Sequence, residues 1–178
     1  MRRAQPGDWA ALRAVRLAAL ADAPQAFGST TAREQGFGED EWRRRVASAP
    51  TFIAWRADEP VGLVAVVGRP QDGPGPQDGP APRDGPAPVA EWELVSMWVS
   101  PDARGSGAAD LLVSAAVDAA RAESAQRVVL WVADGNARAR AFYVRAGFRV
   151  VGIWQTFTRQ DGSSFEEEKL VMPLAVAG

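Results

Sequence analysis

The sequence predicts a mixed α/β protein of the α+β type, with a mostly antiparallel central sheet of about six to seven strands flanked by about four helices. Three observations support this. Apolar residues at helical spacing occupy the start of the chain, strand-like runs joined by short turns follow, and the second half alternates in the order β-α-β-α-β-β. Strands joined by short turns pair antiparallel, so a doubly wound parallel sheet does not fit.

The first half of the chain carries two helical regions and two strands. Asp8 precedes the first helix and is placed to cap it. Trp42 lies between an acidic run and three arginines, a pattern that favours a solvated helix face over the alternative of a cation-attracting entrance. The predicted helices span residues 9–20 and, with an interruption at 36–38, residues 31–47; the strands span 51–56 and 61–68 around a turn at 57–60.

The second half supplies the remaining strands and two more helices. Asn136 opens the later helix, and Gly147 closes it as the residue after the C-cap. Tryptophans such as Trp154 are interpreted as core or interface side chains. The predicted strands span residues 90–99, 127–132, 148–154 and 165–172, the last two around a turn at Asp161-Gly162, and the earlier helix spans residues 107–122.

Composition limits the kind of protein this is. A chain of 178 residues and 19.0 kDa, with 47% hydrophobic and 24% charged residues, fits one globular domain over residues 1–178. A net charge of −2 and a pI near 5.3 argue against nucleic acid as a partner. No apolar run is long enough for a membrane span, and no signal core follows the first residues. We expect a cytoplasmic protein with no membrane partner.

Two missing residue types narrow the chemistry further. The chain has no cysteine and no histidine, which excludes a thiol nucleophile, a Ser-His-Asp triad and the usual zinc sites, so no metal cofactor is expected. Lys169 is the only lysine and lies in no glycine-rich loop, so the phosphate-binding loop of NTPases is absent as well. Proton transfers must use carboxylates, tyrosine, water or the backbone.

Residues 71–88 differ in composition from the rest of the chain. They form three tandem copies of a six-residue Asp-Gly-Pro unit, QDGPGP-QDGPAP-RDGPAP. Such a segment buries little apolar surface, which predicts a disordered or extended loop that enlarges a hairpin turn between the flanking strands. A proline-rich docking site is the alternative, although the repeats lack a basic P-x-x-P ligand.

The stretch from Val99 to Leu112 has the features of a phosphate-binding turn. A strand ends, a short loop follows, and the small residues Gly105-Ser106-Gly107 open a helix. Glycines let backbone amides approach an anion, and the helix N-terminus adds partial positive charge. Arg104 adds a charged donor. A glycine-rich connection that only packs the helix on the sheet is the alternative.

This stretch, V-x-P-x-x-R-G-x-G-x-A, resembles the acyl-CoA signature of the GNAT superfamily of N-acetyltransferases, whose core is R/Q-x-x-G-x-G/A. A second family pattern follows at the expected distance: Leu130-Trp131-Val132, then Asn136-x-x-Ala139-x-x-Phe142-Tyr143-x-x-x-Gly147-Phe148. The first helix, with Ala26-Phe27-Gly28-Ser29, is similar to bacterial members. The resemblance covers the chain outside the repeat. Asp110, where many members carry a basic or neutral residue, departs from it.

The resemblance implies a GNAT fold that binds acetyl-CoA as co-substrate between the strands at 90–99 and 127–132. It places strand-end groups beside the pantetheine arm, the amides of the turn on the pyrophosphate, and Asn136 near the thioester. Read from the residues alone, Asn136 is equally a helix N-cap. The implied cofactor-binding residues are Met97, Trp98, Val99, Arg104, Gly105, Ser106, Gly107, Ala108, Ala109 and Asn136.

Two side chains are candidates for proton transfer. Tyr143, the only tyrosine, lies seven residues after Asn136 and on the same helix face; in the family this tyrosine can protonate the departing thiolate. A core aromatic with a satisfied hydroxyl is the alternative. Glu93 is the base candidate, because some members carry a base glutamate on this strand and alternation puts it on the face of Val95 and Met97. Water is the alternative base.

The resemblance therefore implies an acetyl-CoA-dependent N-acetyltransferase acting on a primary amine by direct transfer in a ternary complex. A longer acyl donor, or a non-catalytic acyl-CoA-binding or regulatory protein on the same fold, are the alternatives. The acceptor, a small molecule or a protein N-terminus, stays open. A homodimer is common in the family, and nothing in the chain demonstrates one.

Overall fold

The computed structural model describes residues 1–68, 90–159 and 162–174. The Asp-Gly-Pro repeat at 71–88 and the turn residue Asp161 lie outside these residues. The helices are α1 (Trp9–Asp22), α2 (Thr31–Gln35), α3 (Glu39–Ser48), α4 (Ala108–Ala122) and α5 (Ala137–Arg145). The strands are β1 (Arg2–Arg3), β2 (Thr51–Arg56), β3 (Glu59–Gly68), β4 (Glu91–Val99), β5 (Arg127–Ala133), β6 (Arg149–Thr158) and β7 (Ser164–Pro173).

The seven strands form one sheet in the order β1-β2-β3-β4-β5-β7-β6. Every neighbouring pair is antiparallel except β4 and β5, which run parallel because α4 crosses over between them. The predicted mixed, mostly antiparallel sheet is confirmed. Within the described ranges, five α-helices flank the sheet, one more than expected, because residues 31–48 form two helices.

Helices cover both faces of the sheet and make two cores. On one face, Leu112 of α4 and Tyr143 of α5 pack in the same core as Leu130 and Leu170 of the sheet. On the other face, α1 and α3 bury Trp42 against Ile53. Both cores reach β4, because Leu94 belongs to the first and Trp98 to the second. This strand is therefore held from both sides.

Several local predictions were wrong. Asp8 precedes α1, but its carboxylate accepts from Arg2 and the Gln5 amide instead of capping the helix. Trp42 is fully buried rather than part of a solvated face, and of the three arginines that follow it, Arg45 also turns inward, to the buried Glu34. Trp154, predicted as a core or interface side chain, is about half exposed on the edge strand β6, which excludes the core and leaves the interface as a prediction.

The helix boundaries near the predicted site agree with the sequence. Asn136 caps α5 with its side-chain oxygen on the Ala139 amide at 3.1 Å, and Gly147 follows the C-cap with φ +102°. Within the described ranges, no helix has the length and apolar character needed to cross a bilayer.

Candidate active site

The two parallel strands part from each other in the middle of the sheet. Pairing between β4 and β5 covers only Glu91 to Glu93 opposite Arg127 to Val129. Beyond these positions β4 continues to Val99 beside β3, while β5 continues to Ala133 beside β7. The sheet therefore opens between the carboxyl ends of its two central strands.

A β-bulge shapes the opening. Between Val95 and Trp98, β4 uses three steps where β3 uses two, and Ser96 takes φ +59°. The bulge reverses the side-chain alternation, so Leu94 and Met97 pack against the same core. Glu93, next to Leu94, therefore lies on the face opposite Met97. The expectation that Glu93 and Met97 share a face was wrong for this reason.

A wide cleft of about 670 Å³ lies on the α4 and α5 side of the opening. Met97, Trp98 and Val99 of β4 line one wall, and the turn that opens α4 lines the next. Three arginines add positive charge, against one carboxylate from Asp110. The arginines are Arg104, Arg138 and Arg145.

The turn leaves only part of its predicted amides for an anion. Gly105 and Gly107 have φ +82° and +84°, which glycine adopts without strain. The amides of Arg104 and Ser106 donate to Pro101 and Ala103 inside the turn, so their predicted role as pyrophosphate donors is not available in this conformation.

The Ala108 amide is also occupied, since it donates to the Ser106 hydroxyl at 3.4 Å. Among the residues that the structure describes, the amides of Gly105, Gly107 and Ala109 have no acceptor, and all three residues line the wide cleft. These amides and the N-terminus of α4 form a concave donor surface suited to a phosphate.

The Arg104 guanidinium has partners within the protein. Its Nε donates to the Val99 carbonyl at 3.1 Å, and its Nη2 pairs with Asp22 at 2.5 Å. The Trp98 indole donates to the same carboxylate at 2.9 Å, and these contacts, the indole's first, lower the pKa of Asp22. Sequence reasoning missed Asp22, which stands 82 residues from Arg104 and ends α1.

Backbone alternation sets which amides of β4 face the opening. The Ser100 amide donates to Val61 of β3, so the preceding Val99 amide points away from β3, toward the gap left by β5. The Trp98 amide turns back toward β3. Of the predicted strand-end donors, the Val99 amide therefore faces the site, while the Trp98 amide faces β3 within the sheet.

A narrower cleft of about 280 Å³ lies on the α1 side of the opening. Two carboxylates line it, Glu93 from β4 and Glu167 from β7, together with the rings of Phe157 and Phe165. The Phe157 ring packs on Gly28, where a Cβ would lie 2.5 Å from the ring, so any side chain at this position would displace the ring.

Phe157, Phe165 and Glu167 were not among the predicted site residues. The aromatic residues on both sides of the predicted turn at 161–162 were the available signal.

The two clefts meet at a throat, defined by the six residues that line both. Tyr143 of α5 is 8% exposed there, in edge contact with Phe148 at 5.7 Å between ring centroids. Burial raises the pKa of the Tyr143 phenol, so the hydroxyl keeps its proton at neutral pH. The throat residues are Ala26, Phe27, Met97, Asn136, Ala139 and Tyr143.

Asn136 was predicted either as a helix N-cap or as a residue near the thioester, and its position is compatible with both. Its side-chain oxygen caps α5, and the residue also lies in the throat. Across the described ranges, no group of three or more Asp and Glu side chains is placed to hold a metal ion.

Solved structures share this fold at low sequence identity. A GNAT-family acetyltransferase from Streptococcus pneumoniae superposes with a TM-score of 0.72 at 18% identity, covering 97% of this chain and 98% of the other. The yncA protein of Salmonella typhimurium, solved with its cofactor acetyl-CoA, gives 0.67 at 18% identity over 99% and 94%.

Sequence comparison gives the family. A mycothiol acetyltransferase from Beutenbergia cavernae is 41% identical over 65 residues, which are 36% of this chain and only 22% of that protein's length. The sequence model of the acetyltransferase (GNAT) family matches residues 14–148, from α1 through the end of α5. With the fold and these motifs in place, the chain belongs to the GNAT family of acetyltransferases.

Proposed function

We propose that the protein transfers the acetyl group of acetyl-CoA to a primary amine, on a small molecule or a protein N-terminus, by direct transfer in a ternary complex. The observation that carries the proposal is the meeting of two clefts of opposite charge at the Tyr143 throat. Each cleft can hold one substrate, and the throat is where they would react.

The wide cleft fits the donor. Acetyl-CoA supplies an activated thioester and an anionic phosphate moiety. The Gly105, Gly107 and Ala109 amides would bind the pyrophosphate, and Arg138 and Arg145 add attraction for phosphate groups. Met97 and Val99 would contact the pantetheine arm. The structure of yncA with its cofactor acetyl-CoA supports this choice of donor.

The narrow cleft fits an amine. Glu93 and Glu167 give it negative charge, since Arg16, the one cation among the described residues of its lining, is paired with Glu34. This charge attracts an ammonium ion and disfavours a carboxylate or phosphate acceptor. The Phe157 and Phe165 rings can pack against the apolar part of such a molecule or hold its cation by cation–π attraction. The amine must lose a proton before it attacks, and Glu93 or water would accept that proton.

The throat supplies the remaining chemistry. The Val99 amide, which faces away from β3, would donate to the carbonyl oxygen of a bound thioester and stabilise negative charge as it develops there. Tyr143, protonated because it is buried, would donate its proton to the leaving sulfur. The chain has no cysteine or histidine to carry the acetyl group, which favours direct transfer.

Thiol release tests the proposal. Wild-type protein with acetyl-CoA should release free CoA when primary amines are added, and matched alcohols or tertiary amines of the same carbon skeleton should not stimulate release. Mass spectrometry should find the acetylated amine. Butyryl-CoA in the same assay tests the longer-donor alternative. Tight CoA binding without thiol release for any amine would favour a non-catalytic acyl-CoA-binding protein instead.

A further inference from the structure

A buried ion pair connects the helical layer to the throat. Glu34 of α2 is fully buried, and its carboxylate accepts from Arg16 of α1 through Nε at 3.1 Å and Nη2 at 3.0 Å. Arg45 of α3 donates to the same carboxylate at 3.1 Å. Burial acts to raise the pKa of Glu34, but the hydrogen bonds and charge of Arg16, with the charge of Arg45, outweigh it and hold the pKa below its usual range.

The pair is costly for the fold alone. Removing two charges from water costs several kcal/mol per ion, and well-packed apolar side chains often serve stability as well or better. Arg16 lies on the apolar face of α1, near Leu12 and Val15, where a leucine would suit the core. Because of this desolvation cost, the Arg16–Glu34 pair is better explained by a role beyond packing.

Arg16 contacts two parts of the site. Its Nη1 lies 3.4 Å from the hydroxyl of Ser96, the residue with left-handed φ in the β4 bulge. Its guanidinium carbon lies 4.7 Å from the centre of the Phe27 ring, which lines the throat. Arg16 itself also lines the narrow cleft.

These contacts fix the position of the Ser96 bulge and of the Phe27 ring. A left-handed φ costs a non-glycine residue about 1–2 kcal/mol, so Ser96 needs an external anchor to keep the bulge in place. Phe27 follows a short 3-10 turn at Pro24–Ala26 and is fixed by what packs on it. Arg16 reaches both, and Glu34 fixes the orientation of Arg16.

We propose that Arg16, oriented by Glu34, is a positioning residue for acetyl transfer, which sets the Ser96 bulge and the Phe27 ring so that the two clefts meet in reacting geometry. The proposal rests on the proposed function. It predicts an effect on the chemical step rather than on CoA binding, because Arg16 lines the narrow cleft and the free turn amides lie in the wide one.

Glu34→Gln tests the proposal, because it keeps the side-chain shape and removes the charge that orients Arg16. A misplacement of about 1 Å can cost about 10²-fold in rate, so we expect kcat to fall at least about tenfold while the Kd of CoA is unchanged. Arg16→Lys, which keeps the cation and loses the two-pronged geometry, should act in the same direction and serves if Glu34→Gln does not fold.

Glu91→Gln is the matched control. Like Glu34, Glu91 is a largely buried glutamate that pairs with two cations. It lies on β4, its side chain is 11% exposed, and it pairs with Arg127 at 2.7 Å and Lys169 at 3.0 Å. It stands at the joined end of β4 and β5, away from both clefts. This variant should lose thermal stability and keep its kcat.

The outcomes separate the two claims. No acetyl transfer by the wild type with any amine would overturn the proposed function and this inference with it. Transfer by the wild type with equal kcat in Glu34→Gln and Glu91→Gln, both folded, would overturn the inference alone.

Discussion

Substitution of Gly107 by aspartate tests the phosphate-binding turn, with substitution by asparagine as the control. At this position a Cβ would meet no atom within 4 Å, so a side chain has room, and φ is +84°. Asparagine and aspartate tolerate left-handed φ better than other residues, so Gly107→Asn and Gly107→Asp carry similar strain. The two variants differ by one negative charge, placed at the N-terminus of α4.

The size of the effect follows from that charge. Two unit charges about 4 Å apart repel by about 1 kcal/mol in bulk water and about 4 kcal/mol at an effective dielectric of about 20. The turn is open to solvent, so we take a value near the lower end. Gly107→Asp should bind CoA at least about tenfold more weakly than Gly107→Asn, a difference of about 1.4 kcal/mol.

Calorimetry with CoA measures this difference, and added salt should reduce it. Aspartate at a helix N-cap favours the helix, so Gly107→Asp should melt no lower than Gly107→Asn. Equal CoA affinity in the two folded variants would refute the assignment of the turn as the pyrophosphate site.

Three further predictions concern other parts of the chain. Glu93→Gln should lower kcat by about 10²–10⁴-fold, the usual value of a general base, and an unchanged kcat would assign the amine proton to water. Replacing residues 71–88 with Asn-Gly should preserve folding and CoA binding, since β3 and β4 already pair from Gly68 opposite Trp92; a loss of turnover alone would implicate the repeat in acceptor binding. The pKa of Glu34 is lowered by folding, so its stabilisation is present above the usual glutamate range and is lost as pH falls through the lowered value. In urea unfolding, the free energy of unfolding should therefore fall less between neutral and acidic pH in Glu34→Gln than in the wild type. An equal decrease in the two proteins would contradict the lowered pKa of Glu34.

Much of the fold was predictable because local signals and topology agree. Helical spacing defined α1 and α4, Gly147 as the residue after the C-cap defined the end of α5, and short turns made most strand pairs antiparallel. The glycine turn at residues 105–107 was readable because left-handed φ has a residue signature. Spacing put Tyr143 on the helix face of Asn136, and both line the throat; only the family resemblance implied a role for its hydroxyl.

The rest depends on contacts that spacing does not encode. The bulge at Ser96 places a serine at left-handed φ, so alternation put Met97 on the wrong face. Asp22 meets Arg104 across 82 residues, which no local pattern reveals. Arg16 on the apolar face of α1 was the one readable sign of a buried ion pair, and its partner Glu34 was not identifiable from sequence.

Turnover by Tyr143→Phe tests the central claim that acetyl transfer occurs at the throat. The substitution removes only the hydroxyl and keeps the ring that packs on Phe148. With the best amine acceptor, kcat should fall by about 10²–10⁴-fold, the usual value of general acid catalysis, while the Kd of CoA stays at the wild-type value. A folded Tyr143→Phe protein with wild-type kcat would contradict the account, because the leaving thiolate would then take its proton from solvent.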